Sequence, residues 1–135
     1  MEMSEIFKPM LVQAAMMTIL GYWLVWARIG SLVRGKITEK SVEKHGWQGW
    51  IKNAGDNYSN QFEIPVVFFV LCFALYLMNA VTPLALGLAW FFVGSRIVHA
   101  LVHLSVNIIK HRFLVFLLGY FALTAMLAIT LMAAF

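Results

Sequence analysis

The chain has 135 residues, of which 62% are hydrophobic and 12% charged, about half the charged share of an ordinary soluble domain. That balance excludes a soluble globular enzyme, because the apolar residues stand in blocks long enough to cross a bilayer, which takes about 20 residues per helix. The formal charge of +4, from 10 Lys and Arg against 6 Asp and Glu, follows the connections between these blocks and gives no separate sign of nucleic-acid binding.

A single cysteine, Cys72, sits inside an apolar block, so there is neither an intrachain disulfide nor a paired-cysteine redox or metal motif. The beginning carries Glu2, Glu5 and Lys8 ahead of its apolar run, without a basic start or a small-residue cleavage site, and reads as a retained helix. The first predicted helix spans about 9–27, with Pro9 in its first turn, where a missing N–H costs nothing. Trp23 and Trp26 mark its interfacial end. Residues 28–52 set Arg28, Arg34, Lys36, Lys40, Lys44 and Lys52 against Glu39 and Glu43, and read as a loop outside the hydrocarbon. Within it, Gly46-Trp47-Gln48-Gly49-Trp50 places two tryptophans at the headgroup level.

The second predicted helix, about 55–78, enters the membrane polar face first, through Asn53, Asp56, Asn57, Asn60 and Glu63. Pro65 lacks an N–H and frees the carbonyl of Gln61, which predicts a bend beside Glu63. A short turn at 79–83 leads to the third helix, about 84–109, with Lys110-His111-Arg112 marking its exit. The fourth, about 113–134, carries no charge and reads as lipid-facing support. Four spans put both termini on one side and the two basic connections on the other, where they hold eight of the ten Lys and Arg. Positive-inside reasoning makes those connections cytoplasmic, and a basic loop of this kind is an orientation signal or an anionic-lipid contact before it is a substrate site.

The third helix carries a polar stripe. Arg96, His99, His103 and Asn107 stand at relative positions 0, 3, 7 and 11, one face of a helix whose other faces are Ile, Val, Leu and Ala. Ionisable groups at membrane depth are costly and face protein or a wet cavity. The antiparallel second helix brings Glu63 towards the level of Arg96, His99 or His103. One reading is an internal staple of Glu63 and Arg96, with Asn57 and Asn60 as helix glue. The other is a wet pocket open to the cytoplasm, favoured because one pair does not require His99, His103, Asn107, Asn53, Asp56 and Arg112 beside it. Two arginines among amides suit an anionic, hydrogen-bonding ligand with carboxylates. His99 and His103 lie four apart, but Glu63 is the one obvious third ligand and no H-E-x-x-H pattern exists, so no metal is expected. There is no Gly-rich phosphate loop and no nucleophile elbow. The chemistry open to such residues is positioning and charge stabilisation, for example of a thiolate beside an arginine.

Asn60-Gln61-Phe62-Glu63-Ile64-Pro65 before an apolar helix, then Arg96, an imidazole at His103 and Arg112, resembles the MAPEG family, the membrane-associated proteins of eicosanoid and glutathione metabolism. The resemblance covers the whole chain. It implies an all-α membrane protein, a four-helix bundle assembled as a homotrimer, with glutathione held between subunits near the cytoplasmic face and a lipophilic substrate arriving from the bilayer. It implies that Asn60 and Glu63, with Asn57 beside them, bind glutathione, that Arg96 orients it, and that Arg112 is the catalytic, thiolate-stabilising residue. His103 stands where the family usually has a tyrosine, and His99 replaces an aromatic one turn earlier; both are carried as binding residues. The arginine usual one turn before the second-helix asparagine is absent, Asp56 or Asn57 standing there, so Arg28 or Arg34 from the end of the first helix is the substitute cation. The pattern resembles the divergent bacterial branch, which implies a bacterial cytoplasmic membrane with the termini outside. The expected activity is transfer of glutathione or a related thiol to lipophilic electrophiles, or peroxide reduction. The missing arginine motivates the alternative, a non-catalytic lipid- or ligand-binding protein on the same scaffold.

Overall fold

Four helical stretches, Met3–Val33, Gly49–Leu77, Pro83–Leu104 and Ile109–Ala134, are each long and apolar enough to cross a membrane. The computed structural model describes residues 1–106 and 108–135, and among them no strand occurs. A single 3₁₀ turn, Met3–Ile6, leads into α1 (Phe7–Val33); then come α2 (Glu39–His45), α3 (Gly49–Asn60), α4 (Ile64–Leu77), α5 (Pro83–Leu104) and α6 (Ile109–Ala134). The molecule is a four-span helical membrane bundle in which α3 and α4 share one span.

The first helix runs six residues beyond its predicted end at 27. Nothing breaks it until Gly35, whose φ of 70° closes a left-handed C-terminal turn: Lys36 N–H donates to the Ser31 carbonyl and Gly35 N–H to the Leu32 carbonyl, each at 3.1 Å. The predicted 28–52 loop also contains α2, opened by Thr38, whose hydroxyl accepts from Ser41 N–H at 3.2 Å, and the first turn of α3.

The bend expected at Pro65 is a complete break. Residues 61–63 are non-helical between α3 and α4, with Gln61 and Phe62 N–H tightening the end of α3 onto the Tyr58 and Ser59 carbonyls. Pro65 sits in the first turn of α4, where its ring is compatible with the helix but removes the donor that would have joined the two segments. The third helix stops at Leu104 rather than 109, and the fourth starts at Ile109 rather than 113. Lys110, His111 and Arg112 therefore occupy the first turn of α6 instead of a connection. Asn107, the fourth member of the predicted stripe, lies outside the described residues.

Packing divides the bundle along its length. Near the termini, Ile6, Met10, Phe68, Leu71, Cys72, Leu75, Ala89, Phe92, Val93 and Met126 form one buried apolar cluster, with Phe68 and Phe92 stacked at 4.6 Å between centroids. Helix α5 packs chiefly on α6, and they approach closely at Gly119, where an added Cβ would clash with Ser95 Oγ. Small residues at such crossings let membrane helices gain dispersion contacts that lipid tails would not replace. Toward the loop end the buried residues change to Asn57, Gln61, Arg96, His99 and His103.

Candidate functional site

The break between α3 and α4 explains where Arg96 goes. Ending α3 at Asn60 leaves its last carbonyls without intrahelical donors, and Arg96, 3% exposed, donates through Nη2 to the Asn60 carbonyl at 3.3 Å. A cation at a helix C-terminus is also favoured by the helix dipole. Of the two readings of the stripe, the Glu63–Arg96 staple is therefore not the one formed. Glu63 is exposed and makes no ion pair with Arg96, although its charge still acts on the guanidinium. The lost helical turn rotates Glu63 out of the bundle while its neighbour Asn60 stays against α5.

One turn along α5 from Arg96, His99 and His103 are 3% and 2% exposed, with their rings edge to face at 6.0 Å. The predicted stripe therefore faces inward over these three residues. Arg96 Nε, His99 Nδ1 and His103 Nδ1 are all buried without a hydrogen-bond partner among the described residues. Unpaired buried polar atoms are rare and costly, and three in succession on one helix face mark a region built for something other than stability. His103 lies within electrostatic range of Asp56, Lys52 and Arg112, so the open end of the seam is charged.

His99 opens onto a cleft of about 230 Å³ lined by Asn60, His99, Ile109, Arg112, Phe113 and Phe116. It brings the polar end of α3, the middle of α5 and the first turns of α6 together. His99 and Phe116 are 6.2 Å apart, and Phe116 stacks in turn on Tyr120 at 6.2 Å. The fourth helix is thus a wall of the cleft, not only the lipid-facing support its composition suggested. Chemically, the cleft offers an arginine, an imidazole and an amide beside phenylalanine faces, a combination that can hold an anionic group next to an apolar one.

Other expected binding residues lie apart from it. Asn57 is fully buried; its Nδ2 donates to the Ala100 carbonyl at 3.5 Å and its backbone carbonyl accepts from Gln61 Nε2 at 3.2 Å. Arg28 stacks 5.1 Å over Trp47 and approaches Gly55 so closely that a Cβ there would meet Nη2 at 3.0 Å. Asp56, with Asn57 one of the two residues standing in place of the expected arginine, is bonded to Lys52 at 2.6 Å. Two residues that the site reading passed over complete the polar half: Gln13 and Gln61, both fully buried, joined from Gln13 Nε2 to Gln61 Oε1 at 3.2 Å. Gln13 was detectable as a lone amide in an apolar span, a signature of interhelical bonding. The chain Gln13, Gln61, Asn57, Ala100 ties α1, α3 and α5 together just below the cleft. Among the described residues no three His, Cys, Asp or Glu side chains gather as a metal site would require.

No curated protein and no solved structure matches the chain. The MAPEG family model does, over residues 6–132, a range that covers nearly all of the four spans, the helix break and every lining residue of the cleft. The chain belongs to the MAPEG family.

Proposed function

We propose that this protein is a membrane-bound transferase or peroxidase that brings glutathione, or a related thiol, to lipophilic electrophiles. The observation that carries this reading is the cleft in which Arg112, His99 and Asn60 meet against Phe113 and Phe116. A thiol bound with its sulfur toward Arg112 is favoured as thiolate, the nucleophilic form, while the phenylalanines and the surrounding bilayer supply the apolar electrophile. Arg96, held on the Asn60 carbonyl, and the seam imidazoles orient the peptide part of the thiol. Glu63, exposed at the helix break, is suited to a ligand ammonium, and Arg28 substitutes for the missing second-helix arginine if a neighbouring subunit presents it to the cleft. That assignment goes with a homotrimer whose site lies between subunits. Their Lys and Arg content supports basic segments on the cytoplasmic side with the termini outside, and the resemblance to the divergent bacterial branch supports a bacterial cytoplasmic membrane.

The test is titration of the purified, reconstituted protein with glutathione, following thiolate absorbance, together with turnover of an aryl halide. Saturable binding with a thiolate signal and steady conjugation are expected. Absence of both would sink the reading. A second reading is favoured by one observation: where a carboxylate-binding cation is expected, Asp56 or Asn57 stands instead, Asp56 bonded to Lys52 and Asn57 to the Ala100 carbonyl. On this reading the protein holds a lipid or other ligand in the same cleft without turnover, and steady thiol conjugation rules it out.

A further inference from the structure

A second polar cavity, of about 190 Å³, lies outside the cleft, between the end of α1 and the start of α3. Its walls include Trp26, Ser31, Arg34, Lys36, Gln48 and Trp50. From the observations below we infer that this cavity binds a phosphate group, carried by an anionic lipid headgroup or a soluble phosphate ester, and the proposal is independent of the thiol reading.

The local structure builds the cavity. The left-handed turn at Gly35 folds Lys36 back onto Ser31, so Lys36 joins Arg34 on one side instead of continuing along the helix. Arg34 is held against the Trp26 ring, its Cζ 5.7 Å from the centroid, which fixes a cation at the rim. Opposite, Gln48 precedes α3, a 12-residue helix, without a side-chain cap, and Gln48, Trp50 and Ile51 of this uncapped start line the cavity; anions are favoured at such a helix start. Ser31 adds an independent sign. Thr18, Ser95, Thr124 and Thr130 each turn their hydroxyl onto a carbonyl of their own helix. Ser31, only 6% exposed, makes no such bond and lines the cavity instead. Two cations, the Ser31 hydroxyl, which has no hydrogen-bond partner among the described residues, and an uncapped helix start offer donors, with no carboxylate among the lining residues. Trp26 and Trp50, of the residue type that settles at the membrane interface, put the opening at headgroup depth, where a phosphate of either source arrives.

Delipidated protein in detergent, titrated with phosphatidylglycerol or with glycerol 3-phosphate and read by native mass spectrometry, tests the assignment. Retention of either ligand, with diacylglycerol not retained, is expected. Arg34→Gln with Lys36→Gln should raise the half-saturating concentration about tenfold, while Lys40→Gln with Lys44→Gln, the same charge change on α2, should leave it within about twofold. Ser31→Ala, which alters no charge, should weaken binding about threefold and serves alone if the double variant does not fold. Retention of phosphatidylglycerol alone identifies a lipid headgroup; retention of glycerol 3-phosphate identifies a soluble ester. Binding of neither, equal retention of diacylglycerol, or equal losses in the two double variants would overturn the inference.

Discussion

The two halves of the bundle are made from the same helices but follow different rules. Toward the termini, Phe68, Cys72, Leu75, Phe92 and Met126 are closed off completely, and the residues around them are apolar. Toward the loops, α5 buries Arg96, His99 and His103, each with a nitrogen that has no partner among the described residues. The first half needs nothing beyond shape complementarity; the second retains unsatisfied donors and acceptors, which stability alone would remove. Proteins tolerate such local conflict where function requires it, and the dry half is what permits the polar half to remain.

The contrast can be broken most severely at Arg112. Arg112→Leu is expected to lower thiol-transfer turnover by roughly two to three orders of magnitude, the loss typical for a group stabilising developing negative charge, while the thermal melt in detergent moves little. Equal loss of melt and turnover would assign Arg112 to the scaffold. The opposite pattern is expected in the dry half. Phe92→Ala removes the stacking partner of Phe68 and should destabilise by about 2–3 kcal/mol, towards the low end for buried aromatics because lipid rather than water is the alternative surrounding. Denaturant titration gives the stability, and glutathione affinity of the folded fraction should be unchanged.

These halves were unequally legible in the sequence. The four apolar blocks and the Arg96, His99, His103 stripe follow from periodicity alone, and Pro65 announces a disturbance beside Glu63. What Pro65 does not announce is its depth. A bend would have kept Glu63 on the face of Asn60, whereas the observed break turns it outward, so the partner of Arg96 became a backbone carbonyl. Register extrapolated at 1.5 Å per residue does not survive a non-helical interval. The part played by α6 was hidden for another reason: Phe113 and Phe116 read the same whether they face lipid or a cleft. The end of α1 at Gly35 depends on one glycine in a left-handed turn, and a basic run after two tryptophans masks it.

A smaller effect separates the network from the cleft. Asn57→Ala should cost about 1–2 kcal/mol, because it removes the side-chain bonds to the Ala100 carbonyl and from Gln61 Nε2, while Gln61 keeps the backbone carbonyl of residue 57. If Asn57 belongs to the network alone, glutathione affinity in the folded protein stays within about twofold, while the melt falls. Affinity falling tenfold with an unchanged melt would instead put Asn57 at the ligand.

The least effect is expected at the boundary between the halves, where the sign depends on two opposed terms. Gln13→Leu deletes the donor to Gln61 Oε1, leaving one buried acceptor exposed to hydrocarbon-like surroundings, which is unfavourable. The same substitution also removes Gln13 Oε1, itself buried without a partner among the described residues, and that is favourable. Interhelical hydrogen bonds within membranes average about 0.6 kcal/mol in double-mutant cycles, so the two nearly cancel and stability should change by less than about 1 kcal/mol. Gln61→Leu differs, since it orphans Gln13 Nε2 and frees both oxygens of Asn57 at once. The double variant Gln13→Leu with Gln61→Leu should therefore recover part of the Gln61→Leu loss, measured by the same denaturant titration. Strict additivity would mean that the amides act separately, and that the polar half begins at Asn57 rather than at Gln13.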